Sequence, residues 1–126
     1  MQEKILTKVL RISLGVILFV FGLNKILNFL PTPVPPMETM AYWGGLMSSS
    51  YILPTVMVIE ILAGVSLILN RFVPLALILL TPVTYNIFMY HLMLDTAGLS
   101  IPLALLIGQI LLFYNYKEKY NSLLKA

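Results

Sequence analysis

Two opposite charges sit inside stretches of sequence that are otherwise apolar: Lys25, close behind the run 12–23, and Glu60, within the run 52–69. A charge in hydrocarbon costs about 2.5 to 3.5 kcal/mol on insertion scales, so each one needs a partner or a purpose. Three roles are open. Lys25 can snorkel alone into the headgroups, the two can form a static ion pair that fixes helix register, or they can belong to a working site for a ligand, a proton or a quinone. Glu60 is the harder to dismiss, being too deep and too short to snorkel. With helices drawn at about 1.5 Å per residue, Lys25 lies roughly 7 Å below the outer end of its helix and Glu60 roughly 12 Å below the outer end of the next. A lysine stem spans that offset, so an ion pair between the first two helices is geometrically reasonable.

Helical spacing turns both residues inward. Gly15, Gly22 and Lys25 fall on one stripe of the first helix, and Glu60, Ala63, Gly64 and Leu67 on one stripe of the second. Small residues mark faces where membrane helices approach closely. Further polar groups gather at similar depth: Asn24 beside Lys25, Asn86 about five residues below the outer end of the third helix, His91 capping that helix with Asp95 one turn on, and Gln109 near the middle of the fourth. Asn and Gln inside membrane helices serve either as interhelical hydrogen-bond glue or as ligand contacts. His91 and Asp95 have the spacing of a proton-responsive contact. A metal site would need further His or Cys beside His91. Pro82 frees the carbonyl of Ile78 and kinks the third helix below Asn86. That is an ordinary bend or an opening beside Thr81, Tyr85 and Asn86.

The elements that position these residues follow from hydropathy. Hydrophobic residues make up 60% of the 126 and charged residues 10%, against about 25% charged in a soluble domain. Four apolar stretches, at residues 9–30, 52–69, 72–90 and 99–116, each give roughly 27–33 Å of helix, enough for a hydrocarbon core of about 30 Å. They are apolar on every side, which excludes the alternation of barrel strands. The expectation is an all-α membrane protein: one antiparallel four-helix transmembrane bundle with a short surface helix in the first outer loop. Only Asn70 and Arg71 separate the second and third helices. The one long connection, residues 31–51, opens with Pro31, Pro33, Pro35 and Pro36, and residues 37–46 read as the surface helix, with Tyr42 and Trp43 at headgroup level. Gly44-Gly45 and Ser48–Ser50 read as its end.

With the N-terminus inside, the inner segments carry Lys4, Lys8, Arg11, Arg71, Lys117, Lys119 and Lys125, and the outer loops only Glu38 and Asp95. The positive-inside rule therefore puts both termini in the cytoplasm, most simply at a bacterial inner membrane. The first run lacks a small-residue cleavage site and reads as an uncleaved helix. The basic residues track no extended face, so nucleic acid is not an expected partner. With no Cys, thiol redox chemistry and thiolate metal sites are excluded.

The first helix, with Arg11, then Leu14-Gly15, then Gly22 and Lys25, resembles that of DoxX-like membrane proteins. The second, with Glu60, Gly64 and Asn70-Arg71, and the third, with Pro82-Val-Thr-Tyr-Asn86, are similar to that family too. The resemblance implies a compact bundle of four membrane helices. Some relatives are linked to thiosulfate:quinone oxidoreductase, others to membrane redox complexes, and distant ones to cargo binding or receptor assembly. No cofactor motif is evident, and a quinone enters by this analogy alone. Two readings follow. One is an accessory or binding subunit whose polar pocket (Lys25, Glu60, Asn86, Asn24, His91 and Gln109) holds a small lipid-like molecule or a partner helix. The other is the membrane subunit of a quinone-linked oxidoreductase. Membrane lipids are partners in either case. A homo-oligomer is compatible with both, and a transporter would need one, since four helices enclose too small a pore.

Overall fold

The computed structural model describes residues 2–126, and among them the ordered elements are helices. Five are α-helices: α1 (Ile5–Leu27), α2 (Met40–Ser48), α3 (Ile52–Leu69), α4 (Val73–Met93) and α5 (Ser100–Asn115). Single 3₁₀ segments precede α2 at Met37–Thr39, precede α5 at Thr96–Gly98 and follow it at Lys117–Tyr120. α1, α3, α4 and α5 run alternately up and down in a closed ring in which α1 packs on α3, α3 on α4, α4 on α5 and α5 back on α1. The long connection and α2 lie at one end, here the loop end, and both termini at the other.

α1 ends three residues earlier than hydropathy suggests because Asn28 adopts a left-handed backbone (φ 49°) and donates its N–H to Asn24 O at 2.9 Å. The four prolines then keep the chain from resuming the helix. α3 ends the same way at Asn70 (φ 55°), with the Arg71 N–H reaching back to Ser66 O at 3.0 Å, the wrapped ending that left-handed Asn or Gly favours. α4 carries Pro74 in its first turn and runs on to Met93, so that His91 is inside the helix rather than capping it.

The core is a column of Leu14 and Leu18 from α1, Ala63 and Leu67 from α3, Leu77 and Leu80 from α4, and Leu105 and Leu112 from α5. Against it α1 and α3 cross almost backbone to backbone. A Cβ placed on Gly64 would stand 2.8 Å from both Gly15 O and Phe19 N, so only small residues let the two helices meet there. Outward faces stay apolar, with Val16, Leu62, Leu79 and Ile110 among the exposed side chains. α1, α3 and α4 are long and apolar enough to cross a membrane. α5, with 16 residues, is a shorter apolar helix of roughly 24 Å at about 1.5 Å per residue, with a 3₁₀ segment near each end.

The end bearing the termini is closed by a network around Arg11. This side chain is buried at 3% exposure, although the charge pattern alone counts it with the cations of the inner segments. Its Nε and Nη2 donate to the two Glu3 carboxylate oxygens at 2.8 and 3.0 Å, and Nη1 donates to Leu67 O and Ile68 O at the end of α3. The guanidinium thus adds donors to carbonyls at the C-terminus of α3, where the helix's own amides run out. The Tyr116 hydroxyl lies 3.2 Å from Glu3 Oε1 and 3.1 Å from Asn70 Oδ1. The hydrogen bonds from Arg11 hold the Glu3 carboxyl below the usual carboxylate range.

Candidate functional site

At the loop end the four long helices diverge around a cavity of about 960 Å³, within the range of about 300 to 1,000 Å³ that ligand pockets occupy. Its floor is apolar, formed by Leu18, Ile59, Val83 and Leu105. Lys25 and Glu60 are in its wall, and Lys25 Nζ donates to Glu60 Oε2 at 2.6 Å, a short charge-assisted bond. The partners differ in exposure: the lysine side chain is 34% exposed and the glutamate 2%. The glutamate is sealed behind the α1–α3 contact, where a Cβ on Gly22 would lie 3.2 Å from Glu60 Cβ. Without a side chain at Gly22, the carboxylate can sit flush against α1.

α2 roofs the cavity. Its aromatic residues Tyr42 and Trp43 turn over the bundle and line the hollow. The Trp43 indole N–H donates to the Tyr90 hydroxyl at 2.9 Å, and the Asn86 amide donates to the Tyr42 hydroxyl at 2.6 Å. The Tyr42 and Tyr90 rings lie 4.8 Å apart at their centroids and Trp43 packs edge-on against both. No residue of α2 is buried, and the roof is held by these contacts at the rim together with packing against α3. The helix starts later than sequence suggests and continues through Gly44-Gly45 to Ser48. Nothing lies within 4 Å of where a Cβ on either glycine would be, so neither is required for packing.

His91 also lines the cavity, with Nδ1 at 3.2 Å from Asp95 O and 3.6 Å from Asp95 Oδ2. The ring occupies space that a side chain at Gly98 would take, a Cβ there falling 2.7 Å from the imidazole. Among the described residues no group of His, Asp or Glu is arranged to hold a metal ion.

The family model for DoxX matches residues 6–93, a span that includes Lys25, Glu60, Asn86 and His91. The chain belongs to the DoxX family. DoxX proteins are small integral membrane proteins, in keeping with three helices here that are long and apolar enough to cross a bilayer. No curated protein and no solved structure matches the chain.

Of the six residues singled out from the sequence of this DoxX protein, four line one cavity: Lys25, Glu60, Asn86 and His91. The other two do not. Asn24 is buried and its Oδ1 accepts the Leu30 N–H at 2.7 Å, so it ties down the chain leaving α1. Gln109 donates to Leu77 O at 2.9 Å and lies 3.2 Å from Thr81 Oγ1, bridging α5 to α4 beneath the cavity. Around Pro82 the cavity wall includes Pro82, Val83 and Asn86. Thr81 instead donates to Leu77 O, and Tyr85 is 60% exposed on the outer side. Sequence reasoning missed Tyr42 and Trp43 as site residues, because an aromatic pair near an interface matches the default membrane belt.

Proposed function

We propose that this DoxX protein is an accessory or binding subunit that holds a small lipid-like molecule in the cavity beneath α2. The supporting observation is the cavity itself: an apolar hollow of about 960 Å³ with a lysine–glutamate pair in its wall and hydrogen-bonding side chains around its rim. Such a site takes an amphiphile. The apolar floor accepts the chain by excluding water from it, while Lys25, a third exposed, has N–H donors to spare for an oxygen of the head. The ion pair keeps the carboxylate compensated when the site is empty. The same reading puts the loop end outside and the termini in the cytoplasm of a bacterial cell, on the strength of the charge asymmetry between the two ends.

The test is purification from native membranes in mild detergent, followed by mass spectrometry of whatever amphiphile travels with the protein, for the wild type and for the double variant Lys25→Met, Glu60→Gln, which removes the head's donor without stranding a charge. A stoichiometric amphiphile that falls at least tenfold in the variant, while the bundle stays folded by circular dichroism, supports the reading. A bound quinone would move the protein to the membrane part of a quinone-linked oxidoreductase. No bound molecule in either sample would leave a membrane-spanning scaffold and overturn the proposal.

A further inference from the structure

A second hollow of about 310 Å³ runs along the seam between α1 and α5. Its α1 side is Leu10, Ser13, Leu14 and Ile17, and its α5 side includes Ala104 and Gly108. Ser13, Ala104 and Gly108 are small, which is what leaves the space between the helices. Ile101 and Leu105 line both this groove and the large cavity, so the two hollows are neighbours across these two side chains, and a chain that leaves the cavity past them enters the groove.

The direction is that of a lipid. α1 and α5 are antiparallel, so Ile17 faces the Ile101 end of the groove and Leu10 faces Gly108. From Lys25 down to Leu14 is roughly 16 Å along α1 at about 1.5 Å per residue, leading from the loop end toward mid-membrane. A molecule with its head at Lys25 and its tail in the seam therefore has the orientation of the surrounding lipids. The charged lining residues of the cavity are one cation, Lys25, and two carboxylates, Glu60 and Asp95, so with His91 neutral the wall carries a net formal charge of −1. That balance disfavours an anionic head, and the Lys25 ammonium at the head's place disfavours a cationic one, which leaves a neutral head with carbonyl or hydroxyl oxygens.

We infer that the ligand is a neutral, long-chain amphiphile whose head lies against Lys25 and whose acyl tail leaves the cavity laterally along the α1–α5 groove. This rests on the binding function proposed above and adds the head's charge and the tail's path.

Trp43 is the one tryptophan in the chain and lines the cavity, so its fluorescence reports occupancy. Purified full-length protein in nanodiscs is titrated with 1-monoacylglycerols of increasing chain length, brominated near the head to quench Trp43. The wild type is expected to bind long chains at least tenfold more tightly than short ones. Ala104→Phe, at a position exposed in the groove, should abolish that gain while short-chain binding stays unchanged. Ser13→Phe blocks the same groove from α1 and should behave likewise. Leu103→Phe, exposed on α5 away from the groove, should behave as wild type. Short and long chains binding alike, or a gain with length that survives both groove substitutions, would overturn the tail path and leave the binding function standing. Alkyl phosphates outcompeting monoacylglycerols would overturn the neutral head. Absence of saturable quenching by any chain would overturn the inference and the binding function together.

Discussion

Removing either member of the Lys25–Glu60 pair should have unequal consequences, because the two ends of the bond are unequally buried. In Lys25→Met the carboxylate of Glu60, 2% exposed, stays behind and loses the hydrogen bond from the Lys25 ammonium. Leaving an uncompensated charge inside a protein costs about 3–5 kcal/mol. In Glu60→Gln the ammonium that remains is on a side chain 34% exposed. It can still donate to the amide oxygen or turn to the mouth of the cavity, so the loss should be about 0–1 kcal/mol, the range of exposed pairs. The double variant has no stranded charge, only a buried amide short of a partner, which costs about 1–3 kcal/mol. It should therefore be more stable than Lys25→Met alone. The assay is titration of the purified protein in dodecyl maltoside with sodium dodecyl sulfate, following helical circular dichroism, with the four chains compared at one pH and ionic strength. Equal losses for the two single variants, or a larger loss for Glu60→Gln, would refute the claim that the pair protects the carboxylate.

Two further expectations concern the rest of the bundle. Gly64→Ala puts a methyl 2.8 Å from two backbone atoms of α1 and should cost about 1–3 kcal/mol in the same titration, whereas Gly108→Ala, whose nearest neighbour would be a Leu10 methyl at 3.5 Å, should cost well under that. Glu3 binds its proton less readily in the folded chain than in the unfolded one, so its contribution is complete above the usual carboxylate range and is lost as pH falls through the depressed folded value. Thermal unfolding in micelles should show that loss at acid pH, and Glu3→Gln should remove that part of the pH dependence.

Much of this arrangement could be read from the sequence because lipid makes polar residues rare. Lys25 and Glu60 stood out by their setting, and the spacing of Gly15, Gly22 and Gly64 pointed both charges toward the shared face. Asn24 and Gln109 were harder, because an amide's role depends on which backbone groups come within reach, and that depends on where α1 stops and how α4 and α5 align. The sequence alone counts Arg11 among the cations of the inner segments, because its partners are an acid eight residues upstream and two carbonyls on another helix, a coincidence no periodicity records. Tyr42 and Trp43 follow the same logic. Their composition fits a membrane belt, and only the fold of the connection between α1 and α3 carries them over the cavity.

The burial of Arg11 has a bearing on how the chain is assembled. While only the first helix has been synthesised, its arginine has Glu3 alone for company and must remain in the headgroup layer. The carbonyls of Leu67 and Ile68 arrive with the end of α3, and the hydroxyl of Tyr116 only after α5. The first helix can thus settle to its final depth once the hairpin it forms with α3 is complete, and a nascent chain halted before that point should sit higher in the bilayer than the finished protein.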